Sequence, residues 1–312
     1  MGSPVDQIVT VVGAGIAGAA CAVALANAGV TVRVVDRGRA PGGRMASPEV
    51  HGRRVDLGAG YFTVKDDEFA AVVGAWEAAG LARPWTDTFG SLSPGAEPTS
   101  KAGPVRWATP GGLRSLVRAL LDDSGVDVQY GVEVETLPGG PVVLAMPDPQ
   151  AQRVFALPEL RFVDYEPVIA VACGFAGRQW PSLQDAAFVN DHPDVSFVAD
   201  DGARRGDGAP VLVAHTTADR ARMHLVAPDG AVRPVVEALT QLLGTGEPEW
   251  THAHRWTFAK PAAQHDDTFH LHQGGGAPVG LAGDQWCPHG SPRVESAWRS
   301  GTDVARALAV TL

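Results

Sequence analysis

Three glycines in six residues, Gly13-Ala14-Gly15-Ile16-Ala17-Gly18, follow an apolar β-branched run and open an alanine-rich one. That arrangement suits phosphate chemistry. Gly13 permits a tight turn, Gly15 lets the backbone approach a pyrophosphate, and Gly18 lets the helix pack closely on the strand. The helix N-terminus then offers free N–H groups and a partial positive charge to the phosphates. Asp36 lies about 20 residues on, where an acid accepts from ribose hydroxyls. The spacing predicts a dinucleotide site.

The elements that must hold these residues can be read from the pattern. Residues 8–12 form a short buried strand, 16–28 a helix closed by Gly29, and 31–35 a second buried strand. Helices are expected at 67–79, 113–121, 232–243 and from 293 to the end, with strands at 126–130, 132–136, 142–145, 250–258 and 279–282. The stretch 168–215 is strand-like and irregular, whereas 91–104 is polar, rich in Pro and Gly, and reads as a surface loop.

Composition narrows the setting. A net charge of -10 over 312 residues argues against a general nucleic-acid or anionic-membrane binder. It leaves room for a local cationic pocket. Three scattered cysteines exclude a disulfide framework and fit a reducing cytoplasm. The apolar N-terminal stretch lacks a basic leader and is broken by glycines, and Asp6 stands where a myristoylation signal needs Ser or Thr. Neither a membrane nor a nucleic-acid partner is expected.

Further motifs narrow the chemistry. Gly42-Gly43-Arg44-Met45 follows the second strand, then Asp56-Leu57-Gly58-Ala59-Gly60-Tyr61-Phe62-Thr63; Gly283-Asp284 and Arg293-Val294-Glu295 stand near the C-terminus. The set resembles the flavoproteins of the amine-oxidase superfamily. Val105-Arg106-Trp107, His254-Arg255-Trp256, Lys260-Pro261, Gly283-Asp284-Gln285-Trp286-Cys287 and Arg293-Val294-Glu295-Ser296-Ala297-Trp298 narrow it to the bacterial renalase-like members, over roughly residues 7–65, 104–150 and 250–312. The resemblance implies an α/β fold: a Rossmann-type FAD-binding domain with a mostly parallel sheet (1–64, 105–160 and 275–312) and an interleaved antiparallel-sheet substrate domain (65–104 and 161–274). It implies non-covalent FAD, touched by Ala17, Asp36, Arg37, Arg44, Gly60, Tyr61, Val134, Asp284 and Val294, with the motif residues Gly43, Met45, Gly283 and Glu295 beside them. Phe62, Thr63, Arg106 and Arg293 would meet the substrate, where arginine forks suit the phosphates of a dinucleotide. The implied reaction takes a hydride from a misreduced dihydronicotinamide dinucleotide and passes the electrons to dioxygen, giving hydrogen peroxide. An amine oxidase or desaturase, and a flavin-binding module without turnover, are the competing readings.

The chain departs from that family in two places. Only residues 137–141 link two strands where the family carries a β-meander, which would leave FAD more exposed, and Gly60 and Gln285 replace residues expected close to the flavin ring. Other candidates stay open. Tyr61, Trp256 and Trp286 could wall a flat substrate or serve as core packing. His254 could be an acid or base, although hydride loss from a dihydropyridine requires neither. Lys260 could orient a water at the flavin, or lie on the surface. The pairs His252/His254 and His270/His272 have a spacing seen in metal sites but lack a third ligand, so no metal is expected.

Overall fold

The computed structural model describes residues 8–312, so the Met1–Asp6 start lies outside the described residues. In chain order the strands are β1 (Val9–Val12), β2 (Val32–Asp36), β3 (Glu49–Val50), β4 (Arg53–Arg54), β5 (Phe62–Thr63), β6 (Arg83–Leu92), β7 (Thr99–Ala108) and β8 (Asp127–Tyr130). They continue with β9 (Val142–Ala145), β10 (Tyr165–Gly174), β11 (Ala186–Val189), β12 (Val195–Asp200), β13 (Val211–Thr216), β14 (Trp250–Pro261), β15 (His270–His272) and β16 (Val279–Ala282). The helices are α1 (Ile16–Asn27), α2 (Asp67–Ala78), α3 (Arg114–Asp122), α4 (Asp148–Val154), α5 (Asp201–Arg205), α6 (Ala218–Met223), α7 (Val232–Leu243) and α8 (Val294–Ala309).

Two large sheets result. The smaller runs β15-β16-β9-β1-β2-β8 and is parallel except at β15. Its central strand β1 is buried at every position, as a strand covered on both faces must be. The larger runs β14-β10-β13-β12-β11-β6-β7-β5 and is mainly antiparallel. One core lies between α1, α2, α3, α8 and the smaller sheet; a second fills the space between the larger sheet, α6 and α7. Among the described residues no helix is long and apolar enough to cross a membrane.

The sequence reading needs correction at several elements. Residues 91–104 are mostly not a loop: they belong to the β6–β7 hairpin, whose turn occupies 93–98. Polar Thr99 to Val105 stay exposed, so pairing to β6 and not burial holds them as strand. Residues 132–136 are not a strand. After β8 the chain donates from Gly131 N to Gly38 O and from Val132 N to Asp36 O, bends around the end of β2 and finds no further strand to pair with. β5 and Val105–Ala108 fall in the larger sheet and β15 in the smaller, so three of the expected segment boundaries move.

α1 is built from small residues because α8 crosses it at contact distance. A Cβ at Gly301 would lie 1.9 Å from the Ala17 carbonyl oxygen. Gly301→Ala should therefore destabilise the protein by about 3 kcal/mol, the upper end of ordinary overpacking, read by chemical denaturation.

Candidate functional site

The two sheets face each other across a cavity of about 1390 Å³, larger than the roughly 300–1000 Å³ of ordinary ligand sites. The smaller sheet contributes the turn after β1. Gly13 adopts φ +113°, open to glycine, and a Cβ there would fall 2.4 Å from the Ala145 carbonyl oxygen. Gly18 packs the helix on that same turn, as expected, and does not border the cavity. Gly15 caps α1 with no side chain satisfying the helix amides, and a Cβ on it would meet nothing within 4 Å. The space needed by a pyrophosphate is thus present beside an uncapped helix end.

Asp36, at the end of β2, lashes this turn in place. Its carboxylate accepts from Ala14 N at 2.6 Å and from Gly38 N at 2.6 Å. A carboxylate has about four acceptor positions, so capacity remains for ribose hydroxyls. Arg44 ties three segments together: it donates bidentately to Asp284 at 2.9 and 2.6 Å, and to Ala259 O at 3.2 Å. Ala17, Arg37, Gly43, Met45, Gly60, Tyr61, Thr63, Val134, Gly283, Arg293 and Val294 also border the cavity. These residues, with the open Gly15 and the free acceptor positions of Asp36, fit an extended dinucleotide cofactor.

Four sequence-derived candidates take other places: three lie outside the cavity lining and Phe62 belongs to the core at its edge. Phe62 is 1% exposed, its ring among Phe69, Trp76 and Trp107 at 6.1–6.3 Å, so it borders the cavity as a core residue. Arg106 lies behind the wall, 8% exposed, stacked 3.9 Å over Phe89 and donating to Asp87 O at 2.6 Å. It reaches only the back of Tyr61, at 5.9 Å, and does not border the cavity. Trp286 is 3% exposed and stacks on His265 at 3.6 Å in the core outside the cavity. Glu295 joins two helix starts, accepting from Lys65 N at 2.5 Å and Asp66 N at 3.0 Å, and does not face the cofactor space. Motif spacing located all four segments but could not say which side each chain turn presents.

The larger sheet forms the opposite wall. Cross-strand register places Phe197, His215, Ala170 and His254 side by side on one face of β12, β13, β10 and β14. Ala170 itself is fully buried among Leu57, Val213 and Trp256. Burial, with the nearby charges of Lys260 and Arg204, pulls His215 down to about 3. Burial also lowers His254, helped by His252 and Arg255. Both rings are therefore neutral at physiological pH. Trp256 stands 4.4 Å from His254 and donates Nε1 to Leu57 O at 2.8 Å. Tyr61 and Phe188 complete an aromatic surface, and burial keeps the Tyr61 phenol protonated. His215, Phe188 and Phe197 escaped sequence reading, because isolated aromatic and His residues in irregular strands carry no spacing signal.

Comparison with known proteins gives concordant matches. A model of the NAD(P)-binding Rossmann-like domain matches residues 11–75, and a model of flavin-containing amine oxidoreductases matches residues 90–309. A phytoene dehydrogenase of Streptomyces griseus is 50% identical over 72 residues, 22% of this chain and only 14% of that enzyme. The fold is similar to that of cyclohexylamine oxidase from Brevibacterium oxydans, with a TM-score of 0.75 at 15% identity over 98% of this chain and 99% of that one. It is likewise similar to putrescine oxidase, with a TM-score of 0.72 at 16% identity over 97% and 99%.

Two outcomes follow from the geometry. Gly15→Val should fold with an unchanged melting temperature, since its side chain enters open space, yet take up no added FAD in an absorbance titration. For His215, an unfolded value near 6.5 and a folded value of about 3 mean that the unfolded chain binds the extra proton between those limits. Stability should thus be flat above about pH 7 and fall as the pH drops through that window, with His215→Gln shallowing the slope in denaturation curves.

Proposed function

The chain belongs to the flavin-containing amine oxidoreductase family and is an FAD-dependent oxidoreductase, and from that premise we propose that its donor is a flat, uncharged dihydronicotinamide ring on a dinucleotide, oxidised at the expense of dioxygen. Each turnover consumes donor, dioxygen and one proton, and yields the pyridinium and hydrogen peroxide. Bound FAD supplies the two-electron carrier between the two half-reactions.

One observation carries this reading: among the described residues no carboxylate stands on the wall contributed by the larger sheet. The cavity's acids, Asp36, Glu133, Glu135 and Asp284, all come from segments attached to the smaller sheet, and Asp284 is already paired with Arg44. Opposite them are neutral His215 and His254, the cation Lys260, and aromatic rings, while Arg255 points to the other face of β14 and donates to Leu225 O. An ammonium donor would meet positive charge there without a counter-ion, which is costly in a partly dry site. A neutral dihydropyridine meets rings it can stack on, and its phosphates meet cations. Its oxidation releases no proton from carbon, so the neutral imidazoles need not act as bases. They orient the ring, and the aromatic wall excludes water from it.

None of the three cysteines borders the cavity, and burial raises Cys173 to about 12 and Cys21 further, so neither thiol offers a thiolate for attachment. Non-covalent FAD is what membership of the flavin-containing amine oxidoreductase family implies.

Anaerobic mixing checks the donor. Isomeric dihydronicotinamide dinucleotides should bleach the visible flavin absorption faster than putrescine or cyclohexylamine, and faster reduction by either amine would reverse the assignment. Phe188, 46% exposed at the cavity wall, provides a graded test. Phe188→Ala should raise the donor KM a few-fold to roughly tenfold, matching about 0.5–1.5 kcal/mol of stacking, with little change in FAD content.

A further inference from the structure

Behind the turn formed by residues 58–61 lies a buried cluster of charge that the donor chemistry does not use. Arg204 is its centre, 1% exposed and carried on α5 of the larger sheet. It donates to Gly60 O at 3.1 Å and Asp56 O at 3.4 Å, and pairs with Asp201. A Cβ on Gly60 would fall 2.8 Å from the Arg204 guanidinium and 3.6 Å from the Phe197 ring. Gly60, Tyr61 and Phe197 all border the cavity, so the guanidinium stands one peptide behind its wall. Its charge is felt there, since it helps to keep His215 neutral.

Stability alone accounts poorly for this placement. A buried ion network is weak evidence of stabilisation, because desolvation offsets the attraction. Arg204 also directs one arm of its fork to a carbonyl on the cavity wall, where no carboxylate rewards it. We propose that Arg204 is a positioning residue for the redox centre: it pins the Gly60-Tyr61 turn against the cavity and holds a permanent positive charge directly behind it. A positive charge in that position favours the more electron-rich form of a bound redox group, and the pinned turn fixes the ring of Tyr61.

Removing Arg204 frees the Gly60 carbonyl without orphaning the carboxylates it pairs with. Asp201 keeps Arg53 at 2.5 Å and Arg205 at 3.1 Å. Asp56 keeps Ser47, the Leu113 amide at 2.9 Å and Arg205 at 3.2 Å. The FAD-loaded wild type is compared with Arg204→Met and Arg204→Lys by hydrogen exchange and by reductive titration with dithionite against a reference dye. No donor is needed, so the outcome is independent of the dihydronicotinamide reading. Arg204→Met should speed exchange by roughly ten- to a hundredfold in amides of residues 57–62 alone, as loss of a charge-assisted bond implies, and should lower the flavin midpoint potential. Arg204→Lys should restore the potential while leaving the turn exposed to exchange, since an ammonium lacks the fork. FAD-loaded Arg204→Met with wild-type exchange in 57–62 and a wild-type potential overturns the proposal, whatever its melting temperature. Should Arg204→Met fail to fold, Arg204→Lys decides: a deprotected turn supports the proposal and a wild-type exchange pattern overturns it.

Discussion

Helix α1 begins with backbone donors that no side chain satisfies, and much of the structure is arranged around that deficit. Uncapped amides are tolerable only where an acceptor arrives, and phosphate oxygens are strong acceptors that also suit the helix dipole. Keeping the end bare requires backbone where side chains would otherwise stand. Gly13 presses on Ala145 O, Gly18 on Gly13 O and Gly301 on Ala17 O, each at a distance that no Cβ could share. The central β1, its neighbour β9 and the final helix are thereby drawn onto one point. Asp36 completes the arrangement by holding both sides of the turn with a single carboxylate.

The second sheet answers with a different chemistry. Its cavity wall is aromatic and the polar groups there are neutral or cationic, while Asp200 and Asp201 are buried behind the wall with arginines. Segregating charge in this way separates an uncapped helix end on one side of the cavity from neutral imidazoles and aromatic rings on the other. Arg44 with Ala259 O, and Arg204 with Gly60 O, bridge the two halves, so the separation between the walls is set by charge-assisted bonds and not by loose packing.

The parts of this design that obey local rules were readable beforehand. The βαβ start, the Gly13–Gly18 turn and Asp36 follow from glycine geometry, strand periodicity and motif spacing, and each borders or shapes the cavity. Resemblance to the renalase-like flavoproteins extended the reading to Arg44, Tyr61, Val134, Asp284 and Val294. What could not be read was orientation. On β5 the pleat sends Thr63 to the cavity and Phe62 into the core, whereas Arg106, paired with Thr63 in register, lies over Phe89 and bonds to Asp87 O. Trp286 follows a turn whose direction is decided by stacking on His265. The His215 row was hidden for a related reason: it exists only through the register of four strands distant in sequence. Asp201, Arg204 and Arg205 do carry a helical charge spacing, but such a run ordinarily marks a solvated face, and only the packing of α5 under Gly60 turns it inward.

The most direct measurement of the central claim is a crystal structure of the protein as purified. The account predicts FAD density running through the cavity, with the pyrophosphate against the amides of Gly15 and Ile16, the ribose at Asp36 and the ring system between Tyr61 and the start of α8. Density placing the phosphates away from that helix end, or a protein that remains free of FAD after reconstitution, would contradict it.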